Sequence, residues 1–246
     1  MLAPPLPSGE IHAWHLVADA GSTARVAPLL DEDERARASQ FAFPKDRDLF
    51  VATRGWLRLL LGGYLGQRAE RLRFAVGPNG KPALAHPSAP LYFNVSHSGT
   101  RALLVFAADR AVGVDIERVE DRTDALDLAP TVFTPHEQAL LQDAPPDGRL
   151  TMFFRLWTGK EAYLKAAGGG LSIPLQNFSV TPADDLAISG VVVLEPSLPP
   201  LSVQWLSAPS GYAAALAAEG PPWQLRVFHL SDPTSVAPPR HVARLA

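Results

Sequence analysis

Short segments along the chain either alternate apolar and polar residues, as at 11–17, or are apolar throughout, as at 102–107, and both patterns predict β-strands. The predicted strands are 11–17, 91–95, 102–107, 111–117, 178–181, 187–194, 201–206, 212–218 and 223–230. Sheet is therefore expected in both the N-terminal and the C-terminal parts of the chain.

Apolar residues at intervals of three and four predict helices between these strands. The predicted helices are 29–41, 46–65, a short helix from Pro135 to about Leu141, and 150–167. Thr134 and Glu137 form the sequence pattern of a capping box at the start of the short helix. Segment 117–130 is polar and is predicted to be a loop, and the tail after Ser231 is predicted to be loose.

Helices and strands in this order predict an α+β fold. A polar turn at Asp109 and Arg110 suggests two α/β halves, at 1–109 and 110–246.

Composition narrows the class of protein. The chain has 246 residues with 47% hydrophobic and 19% charged residues, which is enough to form a folded core. A net charge of -3 gives no overall basic field, so nucleic acid is not an expected partner. The absence of cysteine excludes disulfides and thiolate zinc sites. Neither a long apolar run nor a signal-peptide pattern is present, so we expect a cytoplasmic protein that does not bind membranes.

Segment 112–117, Val-Gly-Val-Asp-Ile-Glu, carries the first candidate chemistry. On a strand, Asp115 and Glu117 point to the same face together with Gly113. Two carboxylates at one place suit a hard divalent cation such as Mg²⁺ or Mn²⁺. Gly113 is expected to leave room for a ligand to approach the backbone.

The second candidate site lies in segment 157–165, Trp-Thr-Gly-Lys-Glu-Ala-Tyr-Leu-Lys. On a helix, Glu161 and Lys165 lie one turn apart on one face, whereas Lys160 projects about 100° away from Glu161. A carboxylate between ammonium groups suits a metal and pyrophosphate site.

Each motif alone has an ordinary interpretation. An isolated Asp-x-Glu on a strand is usually a solvated edge, and a Lys-Glu pair with a second lysine is usually a surface ion-pair cluster. Segments 80–82 (Gly-Lys-Pro) and 96–99 (Ser-His-Ser-Gly) are common turns when taken singly. Their order along the chain changes this interpretation.

The ordered motifs resemble the Sfp-type 4′-phosphopantetheinyl transferases of the holo-acyl-carrier-protein synthase superfamily. That family's two signatures are similar to (Ile/Val)-Gly-(Ile/Val)-Asp, at 112–115, and (Phe/Trp)-(Ser/Thr)-x-Lys-Glu-(Ala/Ser)-x-x-Lys, at 157–165. The resemblance implies two similar α/β halves that form a pseudo-dimer in one chain, and hence a monomer. It also implies transfer of phosphopantetheine from coenzyme A to a carrier-protein serine, with release of 3′,5′-ADP.

The resemblance also implies site residues. The implied ligands of Mg²⁺, or of Mn²⁺, are Asp115, Glu117 and Glu161. The implied coenzyme A contacts are Arg37, Arg54, Lys81, Ser96, His97, Asp115, Lys160 and Lys165. The implied catalytic residues are Glu161, Asp115 and Lys165. Glu161 is the first choice of general base, and a metal-ordered water is the second.

One position departs from the family pattern. Glu34 falls near a position that is basic in some members, and Arg35 is the nearest substitute. The partners implied are coenzyme A and apo acyl or peptidyl carrier proteins, with 118–133 and the start of the next helix as the expected carrier surface. A surface loop without a partner is the alternative for that segment.

Three other functions compete with this one. A non-catalytic homologue that binds coenzyme A or carrier protein is the principal alternative, although none of the implied ligands is missing. A metal-dependent phosphohydrolase or nucleotidyl enzyme would not require the Gly-Lys-Pro and Ser-His motifs together. A purely structural domain would not explain the order of the motifs.

Overall fold

The computed structural model describes residues 3–77, 82–85, 90–121, 123–182, 188–220 and 223–230. The elements in chain order are β1 (Glu10–Val17), α1 (Ala20–Val26), α2 (Glu32–Ser39), α3 (Pro44–Leu65), β2 (Phe74–Val76), β3 (Pro82–Leu84), β4 (Tyr92–Ser98), β5 (Arg101–Ala107), β6 (Val112–Arg118), α4 (Ala125–Val132), α5 (Pro135–Asp143), α6 (Arg149–Ala167), β7 (Phe178–Ser179), β8 (Ile188–Gly190), β9 (Val192–Val193), β10 (Leu201–Trp205), β11 (Tyr212–Glu219) and β12 (Gln224–Leu230). The predicted α+β class is confirmed.

The chain forms two compact units. Unit 1 contains the residues up to Tyr92, His97–Asp109 and the strand that begins at Gln224, and unit 2 contains Phe93–Ser96 and Arg110–Trp223. This differs from the predicted halves at 1–109 and 110–246, because the chain returns to unit 1 in β12.

Unit 1 is built on a four-stranded sheet in the order β12-β1-β5-β4. β1 pairs in parallel with β12 and antiparallel with β5. β12 is therefore an edge strand of this sheet and lies next to the first strand of the chain. Trp14 and Phe228, on the two parallel strands, stack with ring centroids 4.3 Å apart. The long helix α3 packs against α1 and β5.

Unit 2 is built on a four-stranded sheet in the order β6-β11-β10-β8. Helix α6 packs against β6, β11 and β10. The sheet can receive the helix closely because β11 presents small buried residues on the face that packs against α6, namely Ala213, Ala215 and Ala217. The core of unit 2 lies between this helix and the sheet.

The helix boundaries follow local capping chemistry. Both halves of the capping box between Thr134 and Glu137 are formed, as predicted. Pro44 is the first residue of α3, where a proline costs no backbone hydrogen bond. Gly66, with φ of 63°, ends α3 in the left-handed region.

Several local predictions were wrong. The predicted loop at 117–130 includes most of α4, whose first turn is capped by Asp124. α1 was not predicted, because its 7 residues are too few to show a helical period. Ser96 and His97 lie within β4 rather than after it. The turn considered at 80–82 falls largely outside the described residues, and so does the tail after Ser231.

Among the described residues, no helix is both long enough and apolar enough to cross a membrane.

Candidate functional site

Asp115 is held beneath α6 by a close approach of helix and strand in unit 2. A side chain at Gly113 would collide with the backbone of Ala162 and Ala166, so only glycine allows α6 to lie this close to β6. The expectation that Gly113 leaves room for a ligand was therefore wrong. The space is filled by α6, and this helix places Glu161 and Lys165 near Asp115.

Lys165, Asp115 and Ser96 form a closed hydrogen-bonded triangle. Lys165 Nζ donates to Asp115 Oδ1 at 2.6 Å and to Ser96 Oγ at 3.0 Å. Ser96 Oγ donates in turn to the same carboxylate oxygen at 2.7 Å. The Asp115 side chain is 3% exposed and that of Lys165 is 28% exposed, so the ammonium group sits at the edge of the buried carboxylate. Charge-assisted bonds of this kind hold both side chains in one orientation.

Asn94 fixes the strand segment that brings Ser96 to this place. Its side-chain Oδ1 accepts a hydrogen bond from the Val114 backbone N–H at 2.9 Å, and Asn94 is itself buried. The segment Phe93–Ser96 is thereby joined to β6 within unit 2. Sequence reasoning did not select Asn94, although it stands two residues before the Ser-His motif.

Glu161 shares this environment with Asp115. Burial is the main cause that raises the pKa of the Glu161 carboxyl, and the negative charge of Asp115 raises it further. The positive charge of Lys165 acts in the opposite direction. A carboxyl whose pKa is raised in this way is suited to accept a proton near neutral pH.

Lys160 lies elsewhere, contrary to the contact with coenzyme A that we expected. Its side chain is 0% exposed and forms an ion pair with Glu137 at 2.9 Å. Nζ also donates to the backbone oxygens of Leu175 and Phe178, each at 2.6 Å. An ammonium group enclosed in this manner is not available to a phosphate. Helical geometry shows that Lys160 and Glu161 point about 100° apart, but it does not show which of the two faces Asp115.

Comparison with known proteins identifies the family. Residues 111–217 match the model of the 4′-phosphopantetheinyl transferase superfamily, and residues 15–110 match that of the 4′-phosphopantetheinyl transferase N-terminal region. The chain is 36% identical over 229 residues to the 4′-phosphopantetheinyl transferase HetI of Nostoc sp., an alignment that covers 91% of this chain and 94% of the relative. The chain belongs to the 4′-phosphopantetheinyl transferase superfamily.

Other members are similar over shorter spans. A 4′-phosphopantetheinyl transferase of Bacillus subtilis is 30% identical over 203 residues, which cover 82% of this chain and 88% of that protein. The solved ACPS–CoA complex of Chronobacterium ammoniagenes covers 44% of this chain and 95% of its own, with a TM-score of 0.33 and 20% identity. Sequence similarity, rather than so slight a structural likeness, shows the family.

In this transferase, one oxygen at the site has the character of a metal ligand. Asp115 Oδ2 is buried and has no hydrogen-bond partner among the described residues, whereas Oδ1 has two. A buried carboxylate oxygen without a partner is costly unless a cation meets it. No three acidic or histidine side chains gather as a ready-made ligand group in the described part of the chain. The residues that fit a divalent cation are thus Asp115 and its electrostatic neighbour Glu161, with the half-buried Glu117 two residues further along the strand.

Arg37 and Arg54 meet at one aromatic ring in unit 1 of the transferase. Their guanidinium carbons lie 5.5 and 6.0 Å from the centroid of Phe50. Arg37 is exposed, whereas Arg54 is largely buried and its Nη1 has no hydrogen-bond partner among the described residues. Burial, together with Arg58 and Arg37, lowers the pKa of Arg54, although Glu34 opposes the shift. Two neighbouring guanidinium groups with an unused donor suit an anion.

Glu34 has a structural role that explains its acidic character. It is buried, closes the capping box of α2 with Asp31, and accepts from Arg58 Nε at 2.6 Å. Arg58 is fully buried, so it requires this partner. Arg35 bonds to the backbone oxygen of Leu30.

Two predicted contacts remain, His97 and Lys81. His97 is exposed on β4 and belongs to unit 1. Lys81 lies outside the described residues.

Proposed function

We propose that this chain transfers the 4′-phosphopantetheine group from coenzyme A to a serine hydroxyl of an apo acyl or peptidyl carrier protein, releasing 3′,5′-ADP. The observation that carries the proposal is the convergence of Asp115, Lys165 and Glu161 where α6 crosses β6. Family membership supports it, because the alignment with a transferase extends over 91% of the chain.

The proposed cation is Mg²⁺, with Mn²⁺ as a substitute. Asp115 Oδ2 would be one ligand, since it is buried without a partner among the described residues, and Glu161 and Glu117 would supply the others. Carboxylate oxygens are the ligands that both ions prefer. When bound, the cation draws electron density from the pyrophosphate oxygens of coenzyme A.

The protein's own groups carry the remaining steps. Lys165 donates to a pyrophosphate oxygen from the edge of the site, where its ammonium group is partly exposed. The carrier serine oxygen attacks the β-phosphorus, and the bond from that phosphorus to the oxygen bridging toward the α-phosphorus breaks. Glu161 accepts the serine proton, and burial has raised its pKa toward the range in which such a base is effective. Positioning and electrostatics supply most of the acceleration in transfers of this type.

The nucleotide end of coenzyme A requires other cations. Arg37 and Arg54 are the proposed phosphate contacts in unit 1, because they share the Phe50 ring and Arg54 retains an unused donor. Lys81 and His97 remain proposed contacts of the 3′-phosphate.

The proposed carrier surface is centred on α4. Leu126 and Leu128 on this helix are 42% and 45% exposed and offer apolar surface to a partner. A cavity of about 450 Å³ lies at the end of β6, lined by residues 118–121 and 210–212. Because it begins directly after Glu117, a carrier segment bound here would lie close to the proposed metal ligands along the strand.

We also propose that the protein acts as a monomer. Both matched family segments, 15–110 and 111–217, lie in one chain, so a second copy is not needed to supply either of them.

The test is to incubate the protein with coenzyme A, Mg²⁺ and a panel of apo-carrier proteins, and to record intact carrier masses. We expect one carrier to gain the mass of a single phosphopantetheine group, and the gain to disappear when EDTA is added. Binding of coenzyme A without a mass gain on any carrier would contradict transfer and support the non-catalytic alternative.

A further inference from the structure

A fully buried ion pair lies in the core of unit 2, one residue away from Glu161. Lys160 in α6 and Glu137 in α5 are each 0% exposed, and Lys160 Nζ lies 2.9 Å from Glu137 Oε2. Removing two charges from water is costly, so such a pair persists only where hydrogen bonds satisfy the groups.

Both charged side chains of the pair also form hydrogen bonds with backbone groups. Lys160 Nζ donates to the backbone oxygens of Leu175 and Phe178, each at 2.6 Å. Glu137 Oε2 accepts from the Thr134 backbone N–H at 2.8 Å, and Oε1 accepts from that of Val180 at 2.8 Å. The middle of α6 is thereby joined to the start of α5 and to the chain around β7.

These bonds constrain the rotation of α6 about its own axis. Buried residues occur on several faces of the helix, and the burial of apolar surface is non-directional, so apolar burial by itself does not select one rotation. Hydrogen bonds from Lys160 to fixed backbone oxygens are directional. Because successive helical residues are about 100° apart, the direction of Lys160 sets that of Glu161, and Lys165 follows one turn later.

We infer that Glu137 and Lys160 are positioning residues of the transfer reaction, which hold α6 in the rotation that brings Glu161 and Lys165 to Asp115. This inference rests on the proposed function. It gives the lysine of the Lys-Glu signature a role inside the protein, in place of the contact with coenzyme A that the family resemblance implied. Neither residue touches the reacting atoms.

The decisive variant is the double substitution Glu137→Gln with Lys160→Met. Loss of Lys160 alone would leave a buried, unpaired carboxylate, so that variant is expected to unfold easily. The double variant removes both charges and keeps similar volumes, while methionine cannot donate to the oxygens of Leu175 and Phe178. Its fold is checked by circular dichroism and thermal unfolding.

Two readouts separate positioning from stability. Mn²⁺ affinity of the free protein, measured by electron paramagnetic resonance, is expected to fall about tenfold, as is typical when groups that orient metal ligands are removed. The kcat of transfer is expected to fall at least about tenfold, with the KM for coenzyme A nearly unchanged. A folded double variant with wild-type Mn²⁺ affinity and kcat would overturn the inference.

Val203→Ala is the matched control, because Val203 is fully buried in the same core cluster and makes no polar contact through its side chain. It should lower Tm and leave Mn²⁺ affinity and kcat unchanged. If the double variant does not fold, Glu137→Gln alone decides, because Lys160 then keeps the backbone oxygens of Leu175 and Phe178 and can still donate to the amide oxygen. We expect at least about threefold weaker Mn²⁺ binding, and unchanged binding would contradict the inference. A wild-type protein that neither transfers nor binds Mn²⁺ would instead overturn the proposed function, and this inference with it.

Discussion

Lys165 Nζ lies 2.6 Å from Asp115 Oδ1, although the two residues are 50 positions apart and belong to a helix and a strand. The contact uses one carboxylate oxygen and leaves Oδ2 buried without a partner among the described residues. One oxygen of Asp115 is therefore held by the protein, and the other is the proposed ligand of the cation.

Asp115→Asn keeps the shape of the side chain and removes its charge. We expect the transfer rate to fall by about 100-fold or more, because an amide is a poor ligand for Mg²⁺ and no longer pairs with Lys165. Transfer to an apo-carrier is the measurement. Asp143→Asn, which changes an exposed carboxylate at the end of α5, is the control and should remain active. More than a tenth of wild-type activity in the Asp115→Asn variant would contradict the role of Asp115.

Gly113→Ala tests whether the closeness of α6 and β6 assembles the site. The added methyl group collides with the backbone of α6, which cannot move aside as a flexible side chain would. We expect the free energy of unfolding to fall by about 1–3 kcal/mol, as is usual for overpacking, and transfer to fall with it. Urea unfolding and transfer are measured together. Gly21→Ala in α1 is the control, since its methyl group would meet only Asp19 Oδ1, at 3.6 Å.

His15 makes the stability of unit 1 depend on pH. Burial is the main cause that lowers its pKa from 6.5 to about 4, and His229 and Arg101 add to the shift. Between these two values the unfolded chain binds a proton that the folded chain does not, so stability falls as pH falls from about 6.5 toward 4. The effect of this residue is at most about 3 kcal/mol, and it is reached in full only below about pH 4.

His15→Gln should remove that part of the pH dependence. The measurement is the free energy of unfolding at pH 7.5 and pH 5, which we expect to differ less in the variant than in the wild type. The exposed His136 in α5, changed to Gln, is the control and should leave the difference unaltered. Equal differences in the wild type and the His15 variant would show that His15 does not contribute.

The carrier surface is tested by Leu126→Ser with Leu128→Ser. Both leucines are exposed on α4, so the fold should tolerate the change. We expect the KM for the carrier to rise about tenfold, on the scale of interface truncations, with the KM for coenzyme A unchanged. Leu194→Ser, at a leucine that is 57% exposed in the same unit, is the control. A carrier KM that does not move would exclude α4 from the interface.

The sequence predicted those parts of the fold that local patterns determine. Strands β5 and β6 were predicted from their apolar segments, and the capping box before α5 contains its own start signal. The return of β12 to pair with β1 was not predictable, because it depends on a pairing between the two ends of the chain. The helix α1 was missed because its 7 residues are too few to show a helical period of apolar positions.

For the candidate site, motif spacing identified Asp115, Glu161 and Lys165, and the structure brings their charges together in unit 2. Motif spacing did not distinguish side chains that face the site from side chains that face the core. Lys160 turns inward because Glu137 pairs with it there, and a partner contributed by another helix leaves no local mark in the sequence. Gly113 was misassigned for the same reason, since what occupies the space above it is a distant helix.

Phosphopantetheine transfer is tested most directly by the intact mass of one apo-carrier after incubation with coenzyme A and Mg²⁺, with wild-type protein and Glu161→Gln side by side. We predict a gain of one phosphopantetheine group with the wild type and almost none with the variant, which should keep the wild-type fold. A wild-type protein that binds coenzyme A and modifies no carrier would contradict the proposed transfer. A Glu161→Gln protein that retains more than a tenth of the wild-type rate would contradict the role given to Glu161.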